Sequence, residues 1–209
     1  MPFLSKQGSL AIAPKATGGY LNPGSIPTGS SVRFALLQKT PLEYWEVWLQ
    51  DAEGNLNDNG KVIKKPLRFA HEPTDADIEV ELGTQWIRGL NFNGDGPGPV
   101  KFNLAVAIYN HESGAIQIFA SDKPSVNRDL DNETQVIEKE EDYDDILVPD
   151  WILSKAGVGL NTEYSLRTAP RKKGTDAKIQ EAWNAAIEAG FDIERLLSNG
   201  NPFSNDVKA

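Results

Sequence analysis

The segment Val100–Ser121 constrains the fold more than any other stretch of the chain. Four large apolar residues alternate there with small or polar ones, the period of a strand with two unlike faces. These are Phe102, Leu104, Val106 and Ile108. The turn-forming sequence NHESG then interrupts the pattern, which resumes after it. The segment predicts a central β-hairpin with one core face and one wetter face, carrying Lys101, Asn103 and Tyr109, on which a ligand could lie.

Further segments with the same alternation surround the hairpin. Their short spacing predicts a mostly β domain of antiparallel strands. The segments are Val32–Leu37, Tyr44–Leu49, Lys64–Ala70, Asp77–Leu82 and a second hairpin over Asp150–Thr168. On Tyr44–Leu49 the aromatic residues fall on both faces, so one of Trp45 and Trp48 should lie in the core and the other on the surface.

The composition changes at both ends of this β domain. Residues 1–31 are rich in Gly, Ser and Pro and have no apolar period, which predicts a flexible arm. The β domain is predicted over residues 32–174. Residues 175–209 then follow a helical period, with Asp176 as the N-cap and Gly190 as the stop. We therefore expect a C-terminal helical segment and tail.

The chain has a net charge of −9, but its acidic residues are unevenly distributed. Residues 127–150 contain ten acidic and two basic residues, which leaves −1 for the rest of the chain. A solvated acidic loop over residues 129–145 is the simpler interpretation. The alternative is an internal competitor that occupies a basic groove until nucleic acid displaces it. A locally basic groove elsewhere is allowed by these numbers.

Signals of catalysis and of metal binding are sparse. The chain has no Cys, which excludes disulfides and thiolate zinc sites, and His71 and His111 have no ligand spacing around them. No nucleophile elbow is present. Met1–Gly8 lacks the apolar core of a secretory signal, and no stretch is long and apolar enough to span a membrane. These observations predict a cytoplasmic binding protein without a cofactor, rather than an enzyme or a membrane protein.

Aromatic and basic residues occur together on several predicted strands. Rings that stack on bases and cations that neutralise phosphates are what a groove for single-stranded nucleic acid uses. The stacking candidates are Trp45 or Trp48, Phe69, Trp86 and Tyr109. The phosphate-contact candidates are Lys64, Lys65, Arg68, Arg88, Lys101, Arg167, Arg171 and Lys172. A buried role for each Trp and a solvated edge strand for the lysines are the competing interpretations. Five-stranded barrels of the oligonucleotide-binding class match the pattern, so the expected fold is an OB-fold-like antiparallel β-barrel with a C-terminal helical appendage.

An ordered series of segments resembles phage and bacterial single-stranded DNA-binding proteins of the helix-destabilising kind. The segments are VRFALL, PLEYWEVW, KPLRFAHEP, FNLAVAIYNHESGAIQIF, GVGLNTEYSLRTAP and a C-terminal helix that closes on NGNPF. The resemblance covers roughly residues 30–203. It implies an oligonucleotide-binding barrel that coats single strands in replication, recombination and repair, with proteins of those processes as partners.

Two departures from that family matter. Some relatives carry a zinc module, whereas this chain has no Cys, so the resemblance implies no metal here. Many relatives end in an acidic tail that recruits partners, whereas this chain ends in DVKA. Recruitment through the tail is therefore not implied.

Two other function classes stay open at this stage. A structural or interaction β protein, such as a virion component or a carbohydrate-binding module, would use exposed Trp rings on other partners. A hydrolase would need two carboxylates of the acidic run within catalytic reach of each other. The sequence leaves open the oligomeric state and the preference for DNA or RNA.

Overall fold

The structure, a computed structural model, describes residues 19–140 and 145–203, without the side chains of residues 138 and 140. Its strands are β1 (Tyr20–Leu21), β2 (Ser31–Leu36), β3 (Leu42–Asp51), β4 (Lys64–Phe69), β5 (Trp86–Arg88), β6 (Lys101–Asn110), β7 (Ala115–Ser121), β8 (Asp150–Ala156) and β9 (Glu163–Ala169). Its α-helices are α1 (Asp75–Leu82), α2 (Pro124–Glu140) and α3 (Asp176–Glu188). Short 3-10 helices are Pro23–Ser25, Gly159–Asn161 and Ile193–Leu196.

All nine strands belong to one mixed sheet, and its main path runs β1-β7-β6-β2-β8-β9. Strand β1 is parallel to β7, and the other pairings are antiparallel. Strand β3 pairs with the start of β6 and carries β4 on one side and β5 on the other. Among the described strands β1 pairs only with β7 and β9 only with β8, so the sheet is open. The mostly β class is confirmed, and the expected closure into a barrel is not observed.

The predicted central hairpin forms strands β6 and β7, and residues 111–114 make its turn. Leu104, Val106 and Ile108 lie in the main core as predicted. Asn103 and Tyr109 on the second face are only 6% and 7% exposed, so of the three residues predicted to face a ligand only Lys101 is exposed.

Helices cover both faces of the main path. On one face α2 contributes Val126, Leu130 and Ile137 to the core that contains Phe34 and Trp151. The remaining large residues of this core include Phe119, Leu153 and Leu166.

The other face lies under α3 and the segment that follows it. Ile179 packs near Tyr109, and the C-terminal residues Phe191, Ile193 and Leu196 pack with Tyr44. The predicted C-terminal helix is thus confirmed and docks on the sheet. Its N-cap is Thr175 rather than the expected Asp176.

The prediction of a strand over Asp77–Leu82 is wrong, because this segment lies in α1. Thr74 accepts a hydrogen bond from the Asp77 N–H, and the Asp77 carboxylate accepts one from the Thr74 N–H, which makes a capping box. Ile78 then faces the core, and Val80 on the far side is 82% exposed. The alternation of apolar residues was therefore a chance feature of a short helix.

A loop was predicted over residues 129–145. The residues of this acidic segment that the structure describes are mostly helical instead. Residues 129–140 belong to α2, and residues 141–144 lie outside the described residues. The carboxylate of Asp129 accepts the backbone N–H of Leu166, and that of Glu133 accepts the N–H and the hydroxyl of Thr168. These two carboxylates therefore accept hydrogen bonds from backbone N–H groups at the outer edge of β9, and they do not occupy a groove.

The predicted flexible arm over residues 1–31 ends earlier than expected. Residues 1–18 lie outside the described residues, so the prediction is untested there. Tyr20 and Leu21 pair with β7, and Leu21 and Ile26 are 7% and 2% exposed. Residues 19–31 are therefore packed on the sheet, because these two apolar side chains enter its core.

Candidate nucleic-acid interface

The register of β3 with its neighbours divides the candidate residues between the two faces of the sheet. Directly paired residues on adjacent strands point to the same face. Trp48 pairs with Pro66, and Gln50 pairs with Lys64 on one side and with Ile87 on the other. We call these five residues the open face. The side chain of Trp48 is 48% exposed and that of Ile87 is 44% exposed, so no described element packs over them.

The two direct neighbours of Trp48 in the sheet are small residues. One neighbour of Trp48 in the sheet is the compact Pro66. On the other side, the N–H of Gly89 donates to the Trp48 carbonyl at 2.7 Å. Neither neighbour has a long side chain that could cover the indole. The prediction was that one Trp on β3 lies in the core and the other at the surface. The surface residue is Trp48, whereas Trp45 is only partly buried.

The opposite face of the same strands is covered by α1. Val47 and Leu49 are fully buried there, and Phe69 and Trp86 pack against them. The Lys65 ammonium lies 4.2 Å from the centroid of the Trp86 ring. Lys65, Phe69 and Trp86 therefore do not share a surface with Trp48, and the expectation that all of them line one groove is wrong.

Two more candidates lie on this covered side. The half-buried ring of Trp45 contacts Phe102 edge-on, with centroids 5.2 Å apart. Arg88, which pairs with Leu49, donates from Nε to the Gly98 carbonyl at 2.8 Å and from Nη1 to Asp75 at 2.7 Å. Arg88 thus fastens the 89–98 loop to α1 and is already engaged.

Arg68 lies at the border between the open face and the C-terminal segment. Its Nε donates to Glu46 at 2.9 Å, and its Nη1 donates to the Leu196 carbonyl at 3.1 Å. Its guanidinium is also 5.6 Å from the ring centroid of Tyr44. Burial, supported by the negative charge of Glu46, raises the Tyr44 pKa to about 12. Arg68 therefore holds the C-terminal segment on the sheet.

Lys101 shares the face of Arg68, since it pairs in register with Glu46. Its ammonium lies 2.9 Å from Asp122, which Lys123 also contacts at 2.8 Å. Burial opposes ionisation of Asp122, but the hydrogen bonds from the two lysines outweigh it, so the Asp122 pKa is lowered. Together with the exposed Lys64, these ion pairs contain four cations and two carboxylates. The cations are Lys64, Arg68, Lys101 and Lys123, and the carboxylates are Glu46 and Asp122.

The remaining candidates lie away from this surface. Tyr109 is buried under α3, so its ring is not available for stacking. Arg167 is exposed on β9, which the sheet order separates from β4 by β8, β2, β6 and β3. The bases on β4, β5 and β9 therefore do not converge on one groove as predicted.

Arg171 and Lys172 belong to a buried polar cluster around Asp150. Asp150 is 0% exposed. Its carboxylate lies 2.7 Å from Arg33 Nε, 2.9 Å from His111 Nε2 and 3.1 Å from Arg171 Nε, and it also accepts the backbone N–H of Lys172 at 2.9 Å. Arg171 further donates to the carbonyls of residues 147–149. Arg171 is therefore a structural residue, and of the two only the exposed Lys172 side chain is directed to solvent.

One exposed aromatic residue in the loop after β5 was missed by the sequence analysis. Phe92 follows the Gly89 contact by three positions and is fully exposed. The only signal was an aromatic residue within a Gly- and Pro-rich loop, which gives no information on exposure.

In residues 19–140 and 145–203 we find no group of three or more His, Cys, Asp or Glu side chains that could hold a metal ion. No helix within these ranges is long and apolar enough to span a membrane.

Comparison of the chain with family models, with curated proteins and with solved structures gave no match. The resemblance to single-stranded DNA-binding proteins therefore remains a prediction.

Proposed function

We propose that this protein is a non-enzymatic single-stranded DNA-binding protein that protects and organises strands during replication, recombination and repair. The observation that carries the proposal is the half-exposed Trp48 indole on a sheet face that no described element covers. Stacking of a base on an aromatic ring contributes about 1–3 kcal/mol and tolerates any base. In this proposal Trp48 stacks on a base and Lys64 contacts the adjoining phosphate.

Local charge supports a polyanionic ligand at this place. The whole chain carries −9, yet Lys64, Arg68, Lys101 and Lys123 share only the carboxylates of Glu46 and Asp122. Lys64 is exposed, and among the described residues no ion pair involves it. Its ammonium is therefore available for a phosphate, which would gain both the contact and the release of counterions.

The proposal includes an oligonucleotide-binding type of domain, in which the nucleic-acid strand lies across a curved face of the β-sheet. It also includes a cytoplasmic setting, and replication or recombination proteins as partners. The phosphate contacts are fewer than the sequence predicted, because Arg68, Arg88 and Arg171 are bound to protein groups. We therefore expect binding with a shallow salt dependence and a large stacking component.

The test is anisotropy of a labelled dT oligonucleotide of about 16 nucleotides, the upper end of the site size for one such domain. Trp48→Ala should weaken binding about 5- to 160-fold, the range that corresponds to the loss of one stacked base. Trp48→Phe should keep most of the affinity, because the replacement retains a ring.

The matched control is Val80→Ala, because Val80 is 82% exposed on α1, which covers the opposite face. This variant should bind like the wild type. The proposal fails if the wild type does not bind at about 50 mM salt, where phosphate contacts are strongest. It also fails if Trp48→Ala binds as tightly as Val80→Ala.

A protein-docking module is the second candidate function. It is favoured by exposed apolar residues at the open face and in the loop after β5, since contiguous apolar surface often marks a protein interface. These are Trp48, Ile87, Leu90 and Phe92, with exposures of 44% or more. If the protein is a docking module, Lys64→Glu would leave binding of its protein ligand intact. If it is a single-stranded DNA-binding protein, the same substitution should strongly weaken binding to dT.

A further inference from the structure

We propose that a cavity between α2 and the sheet binds a small organic amine, with the apolar body of the ligand on the sheet and its ammonium group against α2. The cavity lies on the face of the sheet opposite Trp48, so this inference goes beyond the proposed function and does not depend on it. It gives a role to acidic residues of α2 that do not contact β9.

The cavity is a part of the space between α2 and the sheet that no described side chain fills. Its volume is about 340 Å³, within the range of about 300–1,000 Å³ that is usual for small-ligand sites. Strands β2 and β6 line it with Leu36, Leu104 and Val106, which belong to the main core. Leu130 of α2 and Ile146 line it as well. These side chains favour a ligand with an apolar body.

The cavity and Trp48 lie on opposite faces of the sheet. Glu43, which also lines the cavity, pairs in register with Leu104. Tyr44, the next residue of β3, points to the other face and pairs with Asn103. Trp48 shares the face of Tyr44, because an even number of positions separates the two along β3. A ligand in the cavity therefore does not compete with a ligand on the open face.

The charged groups around the cavity favour a cation. Asp131 on α2 and Glu43 on β3 both line it, and among the described residues neither is in an ion pair. Lys39 also lines it, but its ammonium group is paired with Asp145. Residues 127–150, which include most of α2, contain ten acidic and two basic residues. The electrostatic potential at the cavity is therefore negative, and it attracts a positively charged ligand.

Two acceptors on α2 favour an ammonium group over other polar groups. Asn127 lines the cavity one helical turn before Asp131, and its side-chain oxygen is buried without a hydrogen-bond partner in the part of the chain that the structure describes. A buried acceptor without a partner costs free energy. The Oδ2 atom of Asp131 accepts a hydrogen bond from Gln135 at 2.9 Å, which leaves Oδ1 for a ligand. An ammonium group has three N–H donors and can donate to both side chains at once, whereas a hydroxyl has one donor and a carboxylate has none.

The experiment titrates the full chain with hexylamine, hexanol and hexanoate, three probes with the same apolar body and different end groups. Chemical-shift changes in NMR spectra of the ¹⁵N-labelled protein should show one hexylamine site per chain, with a Kd of about 1 mM for a ligand of this size. The changes should concentrate at the amides of α2, β2 and β6. Hexanol should bind at least about 10-fold more weakly, because it lacks the charge-assisted hydrogen bond, and hexanoate should not bind.

Asp131→Asn tests where the ammonium group lies. The substitution keeps the shape of an exposed side chain and removes its charge, so the variant should fold like the wild type. It should bind hexylamine at least about 10-fold more weakly. Glu79→Gln is the matched control, because Glu79 is an exposed carboxylate on α1 that does not line the cavity. This control should bind hexylamine like the wild type.

Three results would overturn the inference. Hexanol or hexanoate could bind as tightly as hexylamine, which would show that the cavity does not select a cation. Asp131→Asn and Glu79→Gln could bind hexylamine equally, or hexylamine could cause no change up to about 10 mM. Saturation with hexylamine should leave binding of the dT oligonucleotide unchanged. A failure of dT binding would therefore refute the proposed function and not this inference.

Discussion

The main path of the sheet and the β3-β4-β5 extension use the same residue types in opposite ways. The main path has α2 on one face and α3 with the C-terminal segment on the other. Its Trp151 is completely buried, and its Arg171 is bound to Asp150 and to backbone carbonyls. The extension has α1 on one face, and on the other face the C-terminal segment covers only the end with Tyr44 and Arg68, so Trp48 and Lys64 face solvent.

The difference shows that the second covering layer determines whether a Trp or a cation is structural or available. Both regions are β strands with mixed aromatic and basic residues, which is why the sequence predicted one continuous groove. Availability is restricted to the part of the sheet that only one layer covers. Four predictions test this division, in order of decreasing expected effect.

The largest effect is expected at the buried cluster of the main path. Asp150→Ala should lower the free energy of unfolding by about 3–5 kcal/mol, because it leaves Arg33, His111 and Arg171 without their common partner. Urea denaturation measures it. The control is Asp95→Ala in the exposed loop, where we expect a small change. A loss under about 1 kcal/mol at Asp150 would contradict the structural role of this cluster.

The next effect concerns Tyr44, which the C-terminal segment covers. Its pKa is raised from 10 to about 12, so the hydroxyl ionises more readily in the unfolded chain. The associated stability is complete below pH 10 and is lost as the pH rises toward 12, up to about 2.7 kcal/mol for two pKa units. Tyr44→Phe should flatten this alkaline decline in urea midpoints. Tyr164→Phe is the control, and an unchanged decline in Tyr44→Phe would contradict the assignment.

The border between the two regions is tested by Arg68 and Lys64. Arg68→Gln should lower the free energy of unfolding by about 2 kcal/mol, since charge-assisted bonds to Glu46 and the Leu196 carbonyl are lost. Lys64→Gln should leave stability unchanged within about 0.5 kcal/mol. Thermal or urea unfolding of both variants distinguishes a bound from an available cation. Equal effects of the two substitutions would remove the border that we place at Arg68.

The smallest effect is expected at the start of α1. Thr74→Ala should cost about 1 kcal/mol, the usual value for a lost N-cap. Hydrogen bonds from the Thr74 hydroxyl and N–H lower the Asp77 pKa, so the cap should weaken only as the pH falls below about 4. Urea midpoints at about pH 7 and about pH 3 should therefore differ less in Thr74→Ala than in the wild type. An equal acid decline in both would contradict the capping box.

Much of the fold could be predicted from local alternation. The β6–β7 hairpin, the β8–β9 hairpin and strands β2, β3 and β4 were found because period-two patterns and turn residues are local signals. Even the division of Tyr44 and Trp48 from Val47 and Leu49 follows from alternation along β3. The helices α1 and α2 were missed because a short segment of alternating Ile, Val and Leu, or a run of acids, hides a helical period.

The candidate site was predicted less well than the strands. Alternation places Trp48 and Tyr44 on the same face of β3. It does not predict that the C-terminal segment covers Tyr44 and leaves Trp48 uncovered. That boundary depends on Arg68, whose partner carbonyl at Leu196 is 128 positions away in the chain. Phe92 gave no signal, because exposure at a loop tip depends on the folded loop and not on the residue type.

The contact of α2 with β9 affects how copies of this protein can associate. An unpaired strand edge is a template for pairing with another chain. At the edge of β9, two backbone N–H groups are already bound by the carboxylates of Asp129 and Glu133. Pro66 lacks an N–H within β4, and β1 has only two residues. Growth of a continuous sheet from one copy to the next is therefore disfavoured at β1, β4 and β9. Any ordered array of these molecules would have to form through side-chain surfaces, which permits reversible dissociation without unfolding.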